Sequence, residues 1–121
     1  GRPISILTSL DDKFSNATTT LCHSKSKDIV NFTLNADVII IALGIPMFLK
    51  SDMVKNNCVI IDVGINRVDD ENKKGYKVVG DADFSSLVNK VSAISPVPGG
   101  VGPMTIAMLV DNTIESAEKT L

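Results

Sequence analysis

Four short stretches of this chain combine residue types that could do chemistry. "SPVPGGVGPMT" (Ser95–Thr105) crowds three prolines and three glycines into eleven residues. "LGIPM" and "DVGIN" each put a glycine, Gly44 and Gly64, directly after an apolar run. A glycine there lets a ligand or another backbone approach closely. For either glycine alone a plain tight turn is the other reading; together, at adjacent strands, they favour a ligand crevice. "HSKSK" sets Ser24 beside Lys25 and Lys27, with Arg2 at the turn below. A hydroxyl among cations suits a phosphate.

The elements that must position these residues follow from periodicity. "ADVIIIALG" and "CVIIDVG" are continuous apolar runs of strand length, the pattern of parallel strands covered on both faces by helices. "ATTTLCH" (17–23), rich in β-branched residues, reads as an earlier strand and "SAISPV" as a last short one. Helices are expected over "ISILTSL" behind Pro3, over "SKSKDIVNFTLN" with Ser24 or Ser26 as cap, within "PMFLKSDMVKN", and over "DFSSLVNKV" capped by Asp83. "LDDKFSN" and "DDENKKGY" are turn material, and "KVVGD" is a short extended piece. From Pro103 a final helix carries Ile106, Leu109, Val110, Ile114, Ala117 and Leu121 on one stripe, with Glu115 and Lys119 paired outside. Strands alternating with helices give an α/β, Rossmann-like doubly wound parallel sheet. In such a sheet ligands collect at the carboxyl ends of the strands, where Gly44, Gly64 and the Ser95–Thr105 loop fall.

Composition narrows the function. With 44% hydrophobic and 21% charged residues, the 121-residue chain is one ordinary globular domain. A formal charge of −2 gives no pull toward nucleic acid, and no apolar run reaches the length of a membrane span. One histidine, His23, offers no zinc site, and the two cysteines, Cys22 and Cys58, read as buried free thiols. No nucleophile elbow or phosphate loop of the Walker kind is present. Tyr76 and Lys77 lie in a charged loop, where a surface role is expected. At the end of the first strand, an NAD-preferring site usually carries an Asp or Glu. Ser24, Lys25 and Lys27 stand there instead, so NADP is the expected cofactor and NAD the alternative.

A doubly wound nucleotide domain opens with a strand, then a glycine turn, then a helix. Here Gly1 stands hard against the helix. The strand expected before it would be the central one of the sheet. The chain is therefore read as part of something longer, lacking its first, central strand; a small open sheet that folds without that strand is the other reading.

At "DVGIN", "VVGD" and above all "SPVPGGVGPMTIAMLVDNT" the chain resembles the bifunctional 5,10-methylenetetrahydrofolate dehydrogenase/5,10-methenyltetrahydrofolate cyclohydrolase family, over its NAD(P)-binding part. "GRP", "CHSKSKDI", "ADVIIIALGIPMF" and "KVVGDADF" stand in family order and spacing, so the likeness runs over nearly the whole of residues 1–121. The resemblance implies cofactor contacts at Gly1 and Arg2, which end the glycine turn, at Ser24 near the 2′-phosphate, and at Ile65 through its backbone near the nicotinamide ribose. It implies that Pro98, Gly99, Gly100, Val101 and Gly102 lie along a tetrahydrofolate substrate. Prolines would fix the direction of that loop, and glycines would clear space for a flat pterin. The implied chemistry is NADP-linked oxidation of the methylene bridge, then hydrolysis to 10-formyltetrahydrofolate, a one-carbon supply for purine biosynthesis. The family's catalytic Tyr-x-x-x-Lys belongs to an upstream domain and has no counterpart here, so no residue of this chain is expected to be catalytic or to bind metal. The resemblance further implies a homodimer; the absence of disulfide spacing favours a reducing compartment, read as the cytoplasm with an organelle as the alternative. Two other readings remain open: another two-domain NAD(P) dehydrogenase of shikimate type, and a stand-alone nucleotide-binding or dimerisation module without catalysis.

Overall fold

The computed structural model describes residues 1–120. Three strands, β1 (Val38–Ile41), β2 (Val59–Asp62) and β5 (Ala93–Ile94), form a parallel sheet in the order β1-β2-β5. Val38 pairs with Val59 and Ile41 with Asp62, while Val59 and Ile60 pair with Ala93 and Ile94. Parallel pairing puts the carboxyl ends of all three strands on one rim, and the α/β class is as the sequence indicates.

The apolar runs alternate in burial more than their composition implied. Ile39, Ile41 and Ile60 are buried, whereas Val38 is exposed and Ile40, Val59 and Ile61 are half-buried. One face of the sheet therefore carries the core. There Leu49, Val54, Cys58, Ala82 and Leu87 close over the isoleucines. A strap at 47–49 runs beside residues 80–83, with Met47 N–H donating to Gly80 O (3.0 Å) and Leu49 N–H to Asp81 O (3.0 Å).

Between β2 and β5 the chain makes an antiparallel hairpin of β3 (Asn66–Asp69) and β4 (Tyr76–Val79). β4 covers most of the extended piece read in "KVVGD"; β3 is polar and carried no apolar signal.

The helices are α1 (Arg2–Ser9), α2 (Ile29–Asn35), α3 (Phe84–Leu87) and α4 (Val101–Glu118). α1 begins at Pro3's turn as expected. Helix α2 starts at Ile29, later than Ser24 or Ser26, because Ser26 closes a turn instead: its Oγ accepts from His23 N–H at 2.9 Å. The helix expected within 46–56 is only a 3-10 turn at Ser51–Met53, the preceding residues being drawn out as the strap. Asp83 does cap α3, accepting from Ser86 N–H, but the helix is a single turn. At the two ends of the short β5, Ser92 N–H donates to Cys58 O, just before β2, and Ser95 N–H to Ile60 O within it, and the loop then turns away at the cis Val97–Pro98 bond.

The strand expected at 17–23 is absent. No strand of the sheet pairs with 17–23, and the segment is tied to α1 instead. Ala17 N–H donates to Thr8 O (2.8 Å), and the hydroxyls of Thr8 and Thr19 meet at 3.1 Å. Cys22 is accordingly half-buried rather than buried; Cys58 is buried, and both are free thiols. α4 starts two residues before Pro103 and carries the Lys119–Glu115 ion pair at 2.6 Å. Its stripe residues Ile106, Leu109, Val110 and Ile114 are exposed, and Leu121 lies outside the described residues.

Candidate functional site

Two aspartates organise the carboxyl rim. Asp62 ends β2 and Asp81 follows β4 by two residues; both carboxylates are buried. Among the described residues neither forms an ion pair. Backbone N–H groups compensate them instead. Asp62 Oδ1 accepts from Gly64 N–H (2.9 Å) and Asp81 N–H (3.1 Å), and Oδ2 from Ala82 N–H (2.8 Å). Asp81 Oδ2 accepts from Leu43 N–H and Gly44 N–H (2.8 Å), and Oδ1 from Ile45 N–H (3.0 Å) and the Asn66 side-chain amide (2.8 Å). Burial alone would raise the Asp81 carboxyl, but the Asn66 amide and the N–H groups of Gly44, Leu43 and Ile45 outweigh it and hold it below the usual carboxylate range.

These bonds join loops that are far apart in sequence. Asp81 ties the loop after β1 to the start of β3, and Asp62 ties the turn after β2 to the segment after β4. Ser95 adds the third strand end, its Oγ accepting from Asp62 N–H at 2.8 Å. The sequence drew attention to Gly64 of "DVG" and passed over the aspartates of "DVG" and "VGD". An Asp closing an apolar strand, with a glycine two residues on, was the available signal: it forms the short Asp62–Gly64 turn.

A cleft of about 280 Å³ opens on this rim. Gly64 and Ile65 line it, together with Pro98, Gly99, Gly100, Val101 and Gly102. Gly64 is buried, with the Asp81 carboxylate filling the space where a Cβ would sit. Ile65 is 71% exposed, an apolar side chain left open at the cleft. Gly44 has φ +71° with nothing within 4 Å of a Cβ position, so the β1 loop shows an open backbone surface. Gly99, at φ +99°, is likewise open, whereas a Cβ on Gly100 would overlap Pro96 O. Gly1, Arg2 and Ser24 are not brought to this cleft. They lie in the exposed N-terminal segment, where Gly1 approaches Leu21 Cδ1.

Comparison with known proteins decides the family. The profile of the family described as "Tetrahydrofolate dehydrogenase/cyclohydrolase, NAD(P)-binding domain" matches residues 1–121. The chain belongs to this family. The bifunctional protein FolD of Flavobacterium johnsoniae is 58% identical over 115 residues, covering 94% of this chain and 39% of that protein. The crystal structure of the bifunctional FolD methylenetetrahydrofolate dehydrogenase/cyclohydrolase from Campylobacter jejuni superposes with a TM-score of 0.88 at 48% identity, over 100% of this chain and 40% of that one. The Trypanosoma brucei methylenetetrahydrofolate dehydrogenase-cyclohydrolase, complexed with NADP cofactor and an inhibitor, gives 0.79 at 35% identity over 87% of this chain and 36% of that one. The chain thus spans about two fifths of the length of the curated relatives it matches.

The rim of this tetrahydrofolate dehydrogenase/cyclohydrolase domain fits a dinucleotide. Parallel strand ends converge there, nothing lies within 4 Å of a Cβ position on Gly44, and Ile65 is exposed. Ser24, Lys25 and Lys27 are exposed in the segment before α2. Among the described residues no group of His, Cys, Asp and Glu is placed to hold a metal, and no helix is long and apolar enough to cross a membrane.

Proposed function

We propose that this chain is the NADP-binding domain, and one wall of the folate cleft, of a bifunctional 5,10-methylenetetrahydrofolate dehydrogenase/5,10-methenyltetrahydrofolate cyclohydrolase. The observation that carries the reading is the shared cleft. Gly64 and Ile65, expected at the cofactor, and Pro98–Gly102, expected at the folate, line one cleft of about 280 Å³. In this reading Gly1, Arg2 and Ser24 contact the adenosine and phosphate end, Gly44 and Gly64 let the dinucleotide lie close, and Ile65 meets the nicotinamide ribose. Pro98, Gly99, Gly100, Val101 and Gly102 lie along the tetrahydrofolate derivative. When bound, NADP supplies the hydride acceptor, leaving a methenyl cation on the folate that water opens to 10-formyltetrahydrofolate.

The chain's own residues orient the two reactants, and orientation can lower a barrier by several kcal/mol. Proton transfer falls to residues of the rest of the protein, since no Tyr-x-x-x-Lys occurs here. A homodimer in the cytoplasm, feeding purine biosynthesis, belongs to the same proposal. The full-length protein carrying this chain is expected to reduce NADP with methylenetetrahydrofolate and to hydrolyse methenyltetrahydrofolate, while shikimate supports no reduction. Reduction with shikimate, or none with the folate, would overturn the reading; residues 1–121 alone are expected to show no turnover.

A further inference from the structure

Three successive N–H groups at a strand end, Leu43 to Ile45, would ordinarily form a concave receptor for an anionic ligand. Here the receptor is already filled from inside by the carboxylate of Asp81. The ligand is left with the other side of the loop, where Gly44 is bare. The same carboxylate accepts from the side-chain amide of Asn66, the residue after Ile65 at the start of β3. Asp81 itself is fully buried and is held by Asp62, which accepts its N–H at 3.1 Å.

We infer that Asp81 is a positioning residue for the nucleotide: its buried carboxylate clamps the Leu43–Ile45 loop to the start of β3, so that both segments are set before the ligand arrives. The inference rests on the functional reading above. Asp81, Gly44 and Asn66 do not line the cleft, so Asp81 acts indirectly, through the loop that carries Gly44 and through Asn66 to its neighbour Ile65. A pre-set pair of segments lowers the cost of ordering on binding, and a loosened pair raises it. Cyclohydrolysis uses the folate without transferring hydride to a nucleotide, so it depends less on this clamp.

The test uses the full-length protein and two variants, Asp81→Asn and Asn66→Ala. Asp81→Asn turns an NH₂ toward N–H donors, whereas Asn66→Ala removes one donor and leaves the charge held by three. In Asp81→Asn the Kd and KM for NADP are expected to rise about tenfold or more, with cyclohydrolase activity within about twofold of the parent. In Asn66→Ala the rise is smaller and of the same kind. Amide hydrogen exchange at Leu43–Ile45, measured without nucleotide, should quicken in both. If Asp81→Asn does not fold, Asn66→Ala decides. Unchanged NADP affinity with unchanged exchange, or equal loss of both activities at unaltered NADP affinity, would overturn the inference. A parent protein inactive on folates would overturn the functional reading instead, and direct NADP titration of the parent and Asn66→Ala would still judge the clamp.

Discussion

Gly80 lies against Asp62 so closely that a Cβ on the glycine would overlap the carboxylate Oδ2. Its backbone is outside the left-handed region, so lack of space alone requires the glycine. Asp62 cannot retreat, because its oxygens hold the N–H groups of Gly64, Asp81 and Ala82. Gly80→Ala is therefore expected to destabilise the protein by about 3 kcal/mol, the upper part of the range for overpacking. The midpoint of urea unfolding checks it. A midpoint equal to the parent's would mean that the aspartate and its three donors move without cost.

The pH dependence of stability should carry the signature of Asp81. Burial works to raise its carboxyl, but the Asn66 amide and the loop N–H groups outweigh that and keep it low in the folded protein. The unfolded chain, where an aspartate titrates near about 3.9, binds the proton more readily. Asp81 therefore stabilises fully above that value, and the contribution disappears as pH falls through the lower, folded value. Asp81→Asn is expected to lose about 2 kcal/mol at pH 7 and to show a shallower fall in acid than the parent. Unfolding free energies measured from about pH 2 to pH 7 decide it; parallel acid limbs would contradict the assignment.

What the sequence made legible was what local pattern determines. Continuous isoleucine and valine runs marked β1 and β2, and Pro-Gly density marked the loop before α4. The run at 17–23 has the right residue types for a strand, but a strand exists only where it is paired, and no strand of the sheet pairs with it. β3 is the converse case: "NRVD" has no apolar signal and is a strand because β4 folds back onto it. The paired aspartates were illegible for a third reason. Their meaning lies in bonds to residues as far as 38 positions away, which no spacing within "DVGIN" or "VVGD" announces. The glycines beside them were visible, but Gly64 owes its place at least partly to the Asp81 carboxylate packed on it.

Nucleotide preference should be set by the turn after Cys22. Ser26 Oγ accepts from His23 N–H at 2.9 Å, and His23 Nδ1 accepts from Lys25 N–H at 3.1 Å. This bracing leaves Ser24, Lys25 and Lys27 exposed. In the whole protein, replacing Lys25 and Lys27 together by alanine is expected to lower kcat/KM for NADP roughly tenfold while leaving that for NAD within about twofold. The difference should narrow as salt rises. Steady-state rates with both nucleotides at two ionic strengths measure it, and an equal loss for NAD and NADP would remove these lysines from any role in selection.

Gly44 and Gly64 end adjacent parallel strands, and opposite causes require glycine at each. Gly44 has open space around it but a φ of +71°, a conformation asparagine adopts with little cost. Gly64 has no such φ but no space either, because Asp81 lies on it. Gly44→Asn should therefore leave unfolding stability within about 1 kcal/mol of the parent. Its side chain would project where the dinucleotide is proposed to lie, and the Kd for NADP should rise about tenfold or more. Gly64→Ala should show the reverse weighting, with stability falling by about 3 kcal/mol as the Asp81 clamp is displaced. Thermal unfolding and NADP titration of the two variants side by side separate the causes. If Gly44→Asn bound NADP like the parent, the loop after β1 would not face the nucleotide, and the open backbone there would need another ligand.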